Sequence, residues 1–308
     1  MVKRMVAVVL GGGTGTRFGA VLPKQLLVLN GRTLVEHCVA AFAAAPGIDE
    51  ILLVMPPAYH DEAKRLVGSQ VSAIIAGGAA RSDSVRGALA HIGARHNPAD
   101  TGVLIHDAAR PLVTQQIIAG CVQALQAHDA IGTAVPTSDT ILQVENGVIT
   151  RVPPRETMYR AQTPQCFRLE VIAKAHALAA ADPAFIPTDD CGVVLRYLPD
   201  TPVHVVPGSE DNIKITYPSD LEIAAALLRT TEPPAPSPQP PASSPRPPTA
   251  PRRRSLRGYR GRLIKGIPRP TGPMSRLLLA SRIAGVFSYS PSSIAGVRSE
   301  ERRVGKEC

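Results

Sequence analysis

The 308-residue chain is long enough for one large domain or two ordinary ones, and its 44% apolar residues allow a substantial core. The lack of Trp, with only 5 Phe and 6 Tyr, disfavours a nucleic-acid binder built on aromatic stacking. The sequence contains no run of 18 apolar residues, so no transmembrane helix is predicted. Glycines interrupt the first apolar run too early for a signal peptide. The scattered cysteines form no C-x-x-C pair, so we expect a cytoplasmic protein without a disulfide framework or a zinc site. These five cysteines are Cys38, Cys121, Cys166, Cys191 and Cys308.

The net charge of +9 is divided very unevenly along the chain. Residues 1–230 carry 19 Lys+Arg against 21 Asp+Glu, a net charge of −2. Residues 231–308 carry 15 Lys+Arg against 4 Asp+Glu, a net charge of +11. Because the basic excess belongs to the last quarter of the chain, it gives no reason to expect nucleic-acid binding by residues 1–230.

Strand-like and helix-like segments alternate along residues 1–136. The predicted strands are short apolar runs: Val6–Leu10, Ile51–Met55, Val71–Ala76, Val103–His106 and Ile131–Val135. The predicted helices have helical spacing of apolar residues: Thr33–Ala44, Asp61–Val67, Ser82–Ile92, Gln115–His128 and, near residue 230, Pro218–Leu228. This alternation predicts an α/β fold, a mostly parallel twisted sheet with helices on both faces.

A β-hairpin is predicted after this alternation ends. Ile141–Val144 and Val148–Val152 flank Asn146-Gly147, and Asn-Gly in a short connection is a strong hairpin signal. A hairpin inserted late in an α/β domain is either an edge decoration or an arm that reaches a partner.

The composition changes near Thr230 and indicates a domain boundary. We predict one domain over residues 1–230, with the hairpin arm at about 137–160. Residues 231–251 contain 10 Pro in 21 positions and are typical of an extended linker. Residues 252–308 are basic, and we expect them to be disordered. They are either an appendage without a selected role or an arm that contacts polyanions non-specifically.

A glycine-rich loop follows the first strand and is the strongest chemical signal. It reads Gly11-Gly12-Gly13-Thr14-Gly15-Thr16-Arg17, and Pro23-Lys24-Gln25 follows. Such glycines let backbone N–H groups approach an anion closely. The loop is neither a P-loop nor a G-x-G-x-x-G dinucleotide loop, because Gly-Lys-Ser/Thr is absent and Phe18 occupies the last glycine position. Two cations beside it, Arg17 and Lys24, suit the charge that develops when a phosphoryl centre is attacked.

This loop resembles the nucleotidyltransferase signature of the sugar- and polyol-phosphate cytidylyltransferases. The family usually has Ala-Ala-Gly or Ala-Gly-Gly where this chain has three glycines. The resemblance implies a Rossmann-like nucleotidyltransferase fold. It also implies that Gly11, Gly12, Gly13 and Thr14 hold the triphosphate, and that Arg17 and Lys24 stabilise the transition state.

Two further segments resemble the family's nucleotide-binding motifs. In Gly77-Gly78-x-x-Arg81-x-Asp83-Ser84-Val85, the glycines would let the backbone lie against the base, and Ser84 would offer a hydroxyl to the nucleotide. Ser82 or Asp83 could instead cap the helix that follows. In His106-Asp107-Ala108-Ala109-Arg110-Pro111, Asp107 and Ala108 would contact the nucleotide. Asp107 would lie near the ribose and the metal-bound phosphates, and it is the candidate ligand for Mg²⁺.

The remaining matches imply an acceptor site shared between two subunits. In the family, the arm crosses to the second subunit of a homodimer, and residues matching Thr140 and Arg155 complete the partner's site. Thr188, in Thr188-Asp189-Asp190, and Lys214, in Asp211-Asn212-Ile213-Lys214-Ile215-Thr216, would also bind the acceptor phosphate. The family often has Glu at position 190 and Ala at position 191.

The resemblance covers roughly residues 6–228 and implies transfer of a cytidylyl group from CTP to a polyol phosphate. The expected acceptor is 2-C-methyl-D-erythritol 4-phosphate, and the product accompanying pyrophosphate would be 4-diphosphocytidyl-2-C-methyl-D-erythritol, an isoprenoid precursor. Ribitol 5-phosphate is an alternative acceptor. A second alternative is an inactive nucleotide-binding scaffold whose basic tail does the work. Neither the eight histidines, which lack metal-ligand spacing, nor Cys166 and Cys191 are expected to take part.

Overall fold

A seven-stranded, mostly parallel sheet lies at the centre of the structure, a computed structural model that describes residues 1–12 and 23–231 (230–231 by backbone alone). The strands in chain order are β1 (Arg4–Leu10), β2 (Val28–Leu29), β3 (Arg32–Thr33), β4 (Glu50–Met55), β5 (Ala73–Ala76), β6 (Thr101–Asp107), β7 (Ala130–Pro136), β8 (Gln143–Glu145), β9 (Val148–Arg151), β10 (Tyr159–Arg168) and β11 (Val203–Pro207). The sheet order is β11-β7-β10-β6-β1-β4-β5. Among the seven strands of this sheet that the structure describes, only β10 runs antiparallel to its neighbours, β6 and β7.

Helices cover both faces of this sheet, as the alternation predicted. They are α1 (Leu34–Ala43), α2 (His60–Val67), α3 (Arg81–Gly93), α4 (Gln115–Ala127), α5 (Leu169–Ala180), α6 (Asp190–Tyr197) and α7 (Pro218–Thr231). Alternate residues of β1 face opposite layers, since successive strand side chains point to opposite sides. Ala7 and Val9 join one cluster with α1, α2 and α4, whereas Val6 and Val8 join another with α3, α5 and α6.

The hairpin prediction is confirmed by β8 and β9, which pair antiparallel. Asn146 and Gly147 have φ of 50° and 81°, the left-handed conformation that a tight hairpin turn requires. The Asn-Gly turn is a local sequence feature, and it was sufficient to predict this hairpin.

The structure contains elements between Val152 and Pro218 for which the sequence analysis made no prediction: β10, α5, α6 and β11. β10 is difficult to recognise because its buried centre is polar, with Gln162, Thr163 and Gln165 each 5% exposed or less. Its pairing with β7 is also irregular between Ala161 and Gln165. A buried polar strand does not show the apolar pattern by which strands are recognised.

The order in which strands are added to the sheet changes direction at β1. β4 and β5 extend the sheet on one side of β1, and β6 then pairs with its other side. Ligands of open α/β sheets bind outside the carboxyl ends of the strands at such a switch point. The glycine-rich loop that follows β1 and the residue Asp107 at the end of β6 both lie at this switch point.

All residues that the structure describes belong to one compact unit. The predicted linker beyond Thr231 and the basic tail 252–308 lie outside the described residues. Within the described part of the chain, no helix is long and apolar enough to cross a membrane.

Candidate active site

The carboxyl ends of β1, β4 and β5 bring two glycine pairs together. The Gly11 amide donates to the Val54 carbonyl (2.7 Å), and the Gly77 amide donates to the Met55 carbonyl (3.0 Å). A Cβ on Gly77 would lie 3.3 Å from the Cα of Gly12, so the two segments touch backbone to backbone. Such an approach leaves peptide groups, rather than side chains, to meet a ligand.

The side chain of Ser84 lies where these two glycine segments meet. Its hydroxyl accepts a hydrogen bond from the Gly78 amide (3.0 Å) and donates to the Ala80 carbonyl (3.3 Å), and the residue is 4% exposed. Asp83 accepts from the Ala80 amide (2.9 Å), which confirms its alternative role at the start of α3. The proposed contact of Ser84 with a nucleotide remains a prediction, since its hydroxyl here shapes the loop.

Asp107 is the charged centre of the site. Its Oδ1 accepts from Arg81 Nε (3.1 Å), and its Oδ2 accepts from Lys214 Nζ (2.7 Å). Burial by itself raises the pKa of this carboxyl, but the positive charges of Arg81 and Lys214 lower it well below its usual range. Asp107 is therefore ionised throughout the range in which a phosphate substrate is a dianion.

Arg81 also bridges to a second carboxylate. Its Nη2 lies 2.8 Å from Asp190 Oδ2, and the other oxygen of Asp190 accepts from His176 Nε2 (3.0 Å). Burial lowers the pKa of Arg81, but the two carboxylates outweigh burial and raise it. The guanidinium thus stays charged between two fixed anions.

Arg81 was not among the predicted site residues, although it lies inside the motif that begins at Gly77. Arg81 is the first residue of α3, where the positive end of the helix dipole disfavours a cation. An arginine at the first position of a helix is unfavourable by itself, and this was the sequence signal from which a functional role for Arg81 could have been inferred. Its partner Asp190 gave no local signal, because 109 positions separate it from Arg81 in the sequence.

His106 supports the Asp107 backbone from the opposite side of the strand. The Thr163 hydroxyl accepts from the Asp107 amide (3.1 Å) and lies 3.0 Å from His106 Nδ1, while His106 Nε2 lies 3.0 Å from the Arg110 carbonyl. Since the Arg110 carbonyl can only accept, Nε2 carries the proton of the neutral imidazole, and Nδ1 accepts from the Thr163 hydroxyl. Burial lowers the pKa of His106 to about 4, so the ring is neutral and structural.

Lys24 lies on a 3₁₀ turn, Lys24–Leu26, that returns to the glycine-rich loop. Its neighbour Gln25, 3% exposed, donates from Nε2 to the Gly11 carbonyl. The half-buried Lys24 is therefore anchored next to the carboxyl end of β1. Three other predicted residues of this loop, Gly13, Thr14 and Arg17, lie outside the described residues.

The predicted acceptor residues divide into two groups. Lys214 contacts Asp107 and therefore lies at the switch point. The predicted nucleotide-binding residue Ala108 lies there too, since its amide donates to the Leu10 carbonyl (3.0 Å). Thr188 is exposed just before α6, whose first residue Asp190 is the second partner of Arg81. Thr140 and Arg155 are exposed on the arm.

The cysteine interpretation agrees with the structure. Cys166 is fully buried, and burial raises the pKa of both the Cys166 and the Cys191 thiols. Thiols held protonated in this way are poor nucleophiles.

Comparison with known proteins identifies the family. A sequence profile of 2-C-methyl-D-erythritol 4-phosphate cytidylyltransferases matches residues 5–230. The chain belongs to this family. A 2-C-methyl-D-erythritol 4-phosphate cytidylyltransferase of Thermobifida fusca (strain YX) is 50% identical over 237 residues, covering 74% of this chain and 94% of its own.

Two further relatives show the breadth of the family. The crystal structure of 4-diphosphocytidyl-2C-methyl-D-erythritol synthase from Anaerococcus prevotii matches with a TM-score of 0.65 and 26% identity, covering 74% of this chain and 96% of that one. A bifunctional ribulose 5-phosphate reductase/CDP-ribitol pyrophosphorylase of Haemophilus influenzae is 38% identical over 234 residues, covering 74% of this chain and 49% of its own length. The predicted nucleotidyltransferase fold is thereby confirmed.

Proposed function

We propose that the protein transfers a cytidylyl group from CTP to 2-C-methyl-D-erythritol 4-phosphate and releases pyrophosphate. The observation that carries this proposal is the charged centre at the switch point. Asp107, Arg81 and Lys214 meet there beside the glycine segments, in a chain that belongs to the cytidylyltransferase family. The same relationship makes the protein an enzyme rather than a binding scaffold.

The reaction is an in-line attack on the α-phosphorus of CTP. A phosphate oxygen of the acceptor forms the new P–O bond, and the bond to the bridging oxygen of the β-phosphate breaks as pyrophosphate leaves. A phosphate monoester is already a dianion near neutral pH, so the attack needs no general base. The protein's contribution is to bring two anions together and to stabilise the charge that accumulates.

The chain's own residues divide this work by position. The backbone of Gly11, Gly12, Gly77 and Gly78 lies where a nucleotide would approach the sheet, and Gly13 and Thr14 would extend this cradle. Lys24 and Arg17 would meet the charge on the α-phosphate. Lys214, Thr188, Thr140 and Arg155 would hold the acceptor phosphate, Arg155 through its planar fork.

A magnesium ion fits the donor set around Asp107. The described residues contain no cluster of three or more His, Cys, Asp or Glu that could hold a metal alone. Mg²⁺ commonly uses one or two carboxylates together with substrate phosphates, which matches a single Asp107 beside a triphosphate. When bound, the ion would neutralise charge on the departing pyrophosphate.

Ribitol 5-phosphate is the second candidate acceptor, because the Haemophilus influenzae relative is named a CDP-ribitol pyrophosphorylase. Pyrophosphate release from CTP and Mg²⁺ should be measured in parallel with each polyol phosphate. We expect a strong preference for 2-C-methyl-D-erythritol 4-phosphate. Preference for ribitol 5-phosphate would reassign the acceptor, and CTP binding without pyrophosphate release would favour the inactive scaffold.

The exposed hairpin supports a homodimer. Val144, Val148, Ile149 and Val152 are each more than half exposed, and an isolated two-stranded hairpin is marginally stable in water. A second copy covering these side chains would place Thr140 and Arg155 at the partner's site. We also place the reaction in the cytoplasm, since Cys38, Cys121, Cys166 and Cys191 are free thiols, as a reducing compartment favours.

A further inference from the structure

Five ionisable side chains form a continuous row from the protein interior to the candidate active site. The row runs His176, Asp190, Arg81, Asp107, Lys214, and its successive contacts measure 3.0, 2.8, 3.1 and 2.7 Å. The side chains of His176 and Asp190 are 2% and 1% exposed, whereas that of Lys214 is 46% exposed. The buried end is therefore fixed by packing, while the exposed end borders solvent.

Arg81 is held at both of its ends. Its Nε contacts Asp107 and its Nη2 contacts Asp190, so one rigid guanidinium spans two carboxylates. Asp190 is fixed in turn, because its second oxygen accepts from His176 and its amide donates to Gln165 Oε1 (2.9 Å). Arg81 is thus anchored to the protein interior and stays with Asp107 when other partners of Asp107 change.

Lys214 is bound differently. Its single ammonium group contacts Asp107 at the end of a flexible stem that is nearly half exposed. In the proposed function, the same ammonium binds the acceptor phosphate. Lys214 must then give up some or all of its contact with Asp107, and the strength of that contact limits how well it can serve the phosphate.

We propose that Arg81 is a positioning residue that allows Lys214 to exchange Asp107 for the acceptor phosphate. The inference rests on the proposed function. With Arg81 in place, Asp107 keeps a cation after Lys214 leaves, and its carboxylate stays where β6 presents it. Without Arg81, Lys214 would be the cation left in contact with Asp107 among the residues that the structure describes, and the acceptor would compete less well for it.

A double-mutant cycle tests this proposal on the full-length protein. Arg81→Met should lower kcat/KM for 2-C-methyl-D-erythritol 4-phosphate by about ten-fold or more, mainly through a raised KM for that acceptor. In a Lys214→Met background, the same change should lower it by less than about two-fold, because the effect acts through Lys214. Equal losses in both backgrounds, or no loss in the first, would overturn the proposal.

Two further variants separate positioning from folding. Arg86→Met removes a half-buried arginine from the same helix, where it pairs with Asp83, and should leave both kinetic constants unchanged. Asp190→Asn keeps Arg81 and the shape of the buried site but releases one end of the guanidinium. It should raise the acceptor KM by a smaller factor that again vanishes with Lys214→Met, and it decides the question if Arg81→Met does not fold.

The wild-type assay distinguishes this proposal from the proposed function. No pyrophosphate release by the wild-type protein with either polyol phosphate would contradict the function itself. An active wild-type enzyme with multiplicative Arg81 and Lys214 effects would contradict the positioning role alone.

Discussion

Lys24 is anchored by the turn that also brings Gln25 onto the Gly11 carbonyl. Its charge should therefore be available where the α-phosphate of CTP lies. We expect Lys24→Ala to lower kcat by about 100-fold, comparable to removing one donor from an oxyanion site. Lys174→Ala, an exposed lysine on α5, serves as the control in steady-state assays of pyrophosphate release. Turnover near the wild-type rate would remove Lys24 from the catalytic residues.

His106 makes the free energy of unfolding depend on pH. Burial lowers its pKa to about 4 in the folded protein, whereas an unfolded histidine titrates near 6.5. The unfolded state therefore binds the extra proton first, and stability is lost as the pH falls through this window. The full contribution is about 3 kcal/mol.

Urea unfolding of the wild type and His106→Gln at about pH 7 and about pH 5 checks this contribution. The wild type should lose about 2 kcal/mol more than the variant between the two conditions. His91→Gln, half-buried on α3, is the control and should follow the wild type. Parallel losses in the wild type and His106→Gln would show that another group is responsible.

At the scale of elements, a capping box fixes the start of α1. The Thr33 hydroxyl accepts from the Glu36 amide (3.3 Å), and the Glu36 carboxylate accepts from the Thr33 amide (2.7 Å). Thr33→Ala should lower the free energy of unfolding by about 1 kcal/mol, while Thr33→Ser should preserve most of it. Chemical denaturation of both variants measures the difference. If serine and alanine destabilise equally, the hydroxyl is not the stabilising group.

The hairpin arm connects the element scale to the whole molecule. Val144→Asp with Ile149→Asp adds two charges where we propose that a second copy packs. The doubly substituted protein should sediment as a monomer at concentrations where the wild type is a dimer. Its activity should fall by about ten-fold or more if Thr140 and Arg155 act across the interface.

Leu195→Asp is the matched control for the arm, since Leu195 is 57% exposed on α6, away from the hairpin. It should leave sedimentation and activity unchanged. A fully active monomer carrying the two arm substitutions would contradict the shared site, and an unchanged dimer would place the interface elsewhere.

At the scale of the whole molecule, we expect the acidic part of the chain to carry the catalytic activity and the basic tail to carry the binding to polyanions. A protein ending at Thr231 retains all the described elements and loses all of the +11 net charge carried by residues 231–308. We expect its kcat to stay within about two-fold of the full-length value, while its salt-dependent retention on heparin is lost. Unchanged retention would show that the tail does not bind polyanions.

The sequence by itself determined the elements whose signals are local. Apolar spacing and glycine punctuation located the first four helices and the strands β1, β4, β5, β6 and β7 to within a few residues, and Asn146-Gly147 located the hairpin turn. The two-residue strands β2 and β3 were not predicted. The glycine segments and Asp107 were likewise readable, because each follows an apolar strand and ligands gather at strand carboxyl ends. These inferences need only neighbouring residues.

Only the tertiary structure decided which charged groups meet. Lys214 and Asp107 lie 107 positions apart, and Arg81 meets Asp190 only because α3 and α6 pack on the same face of the sheet. β10 escaped prediction for the same reason, since its buried Gln162 and Gln165 are satisfied by Ser209 and Asp189 from distant segments. A buried polar group is stable only beside its partner, and the folded chain alone brings that partner to it.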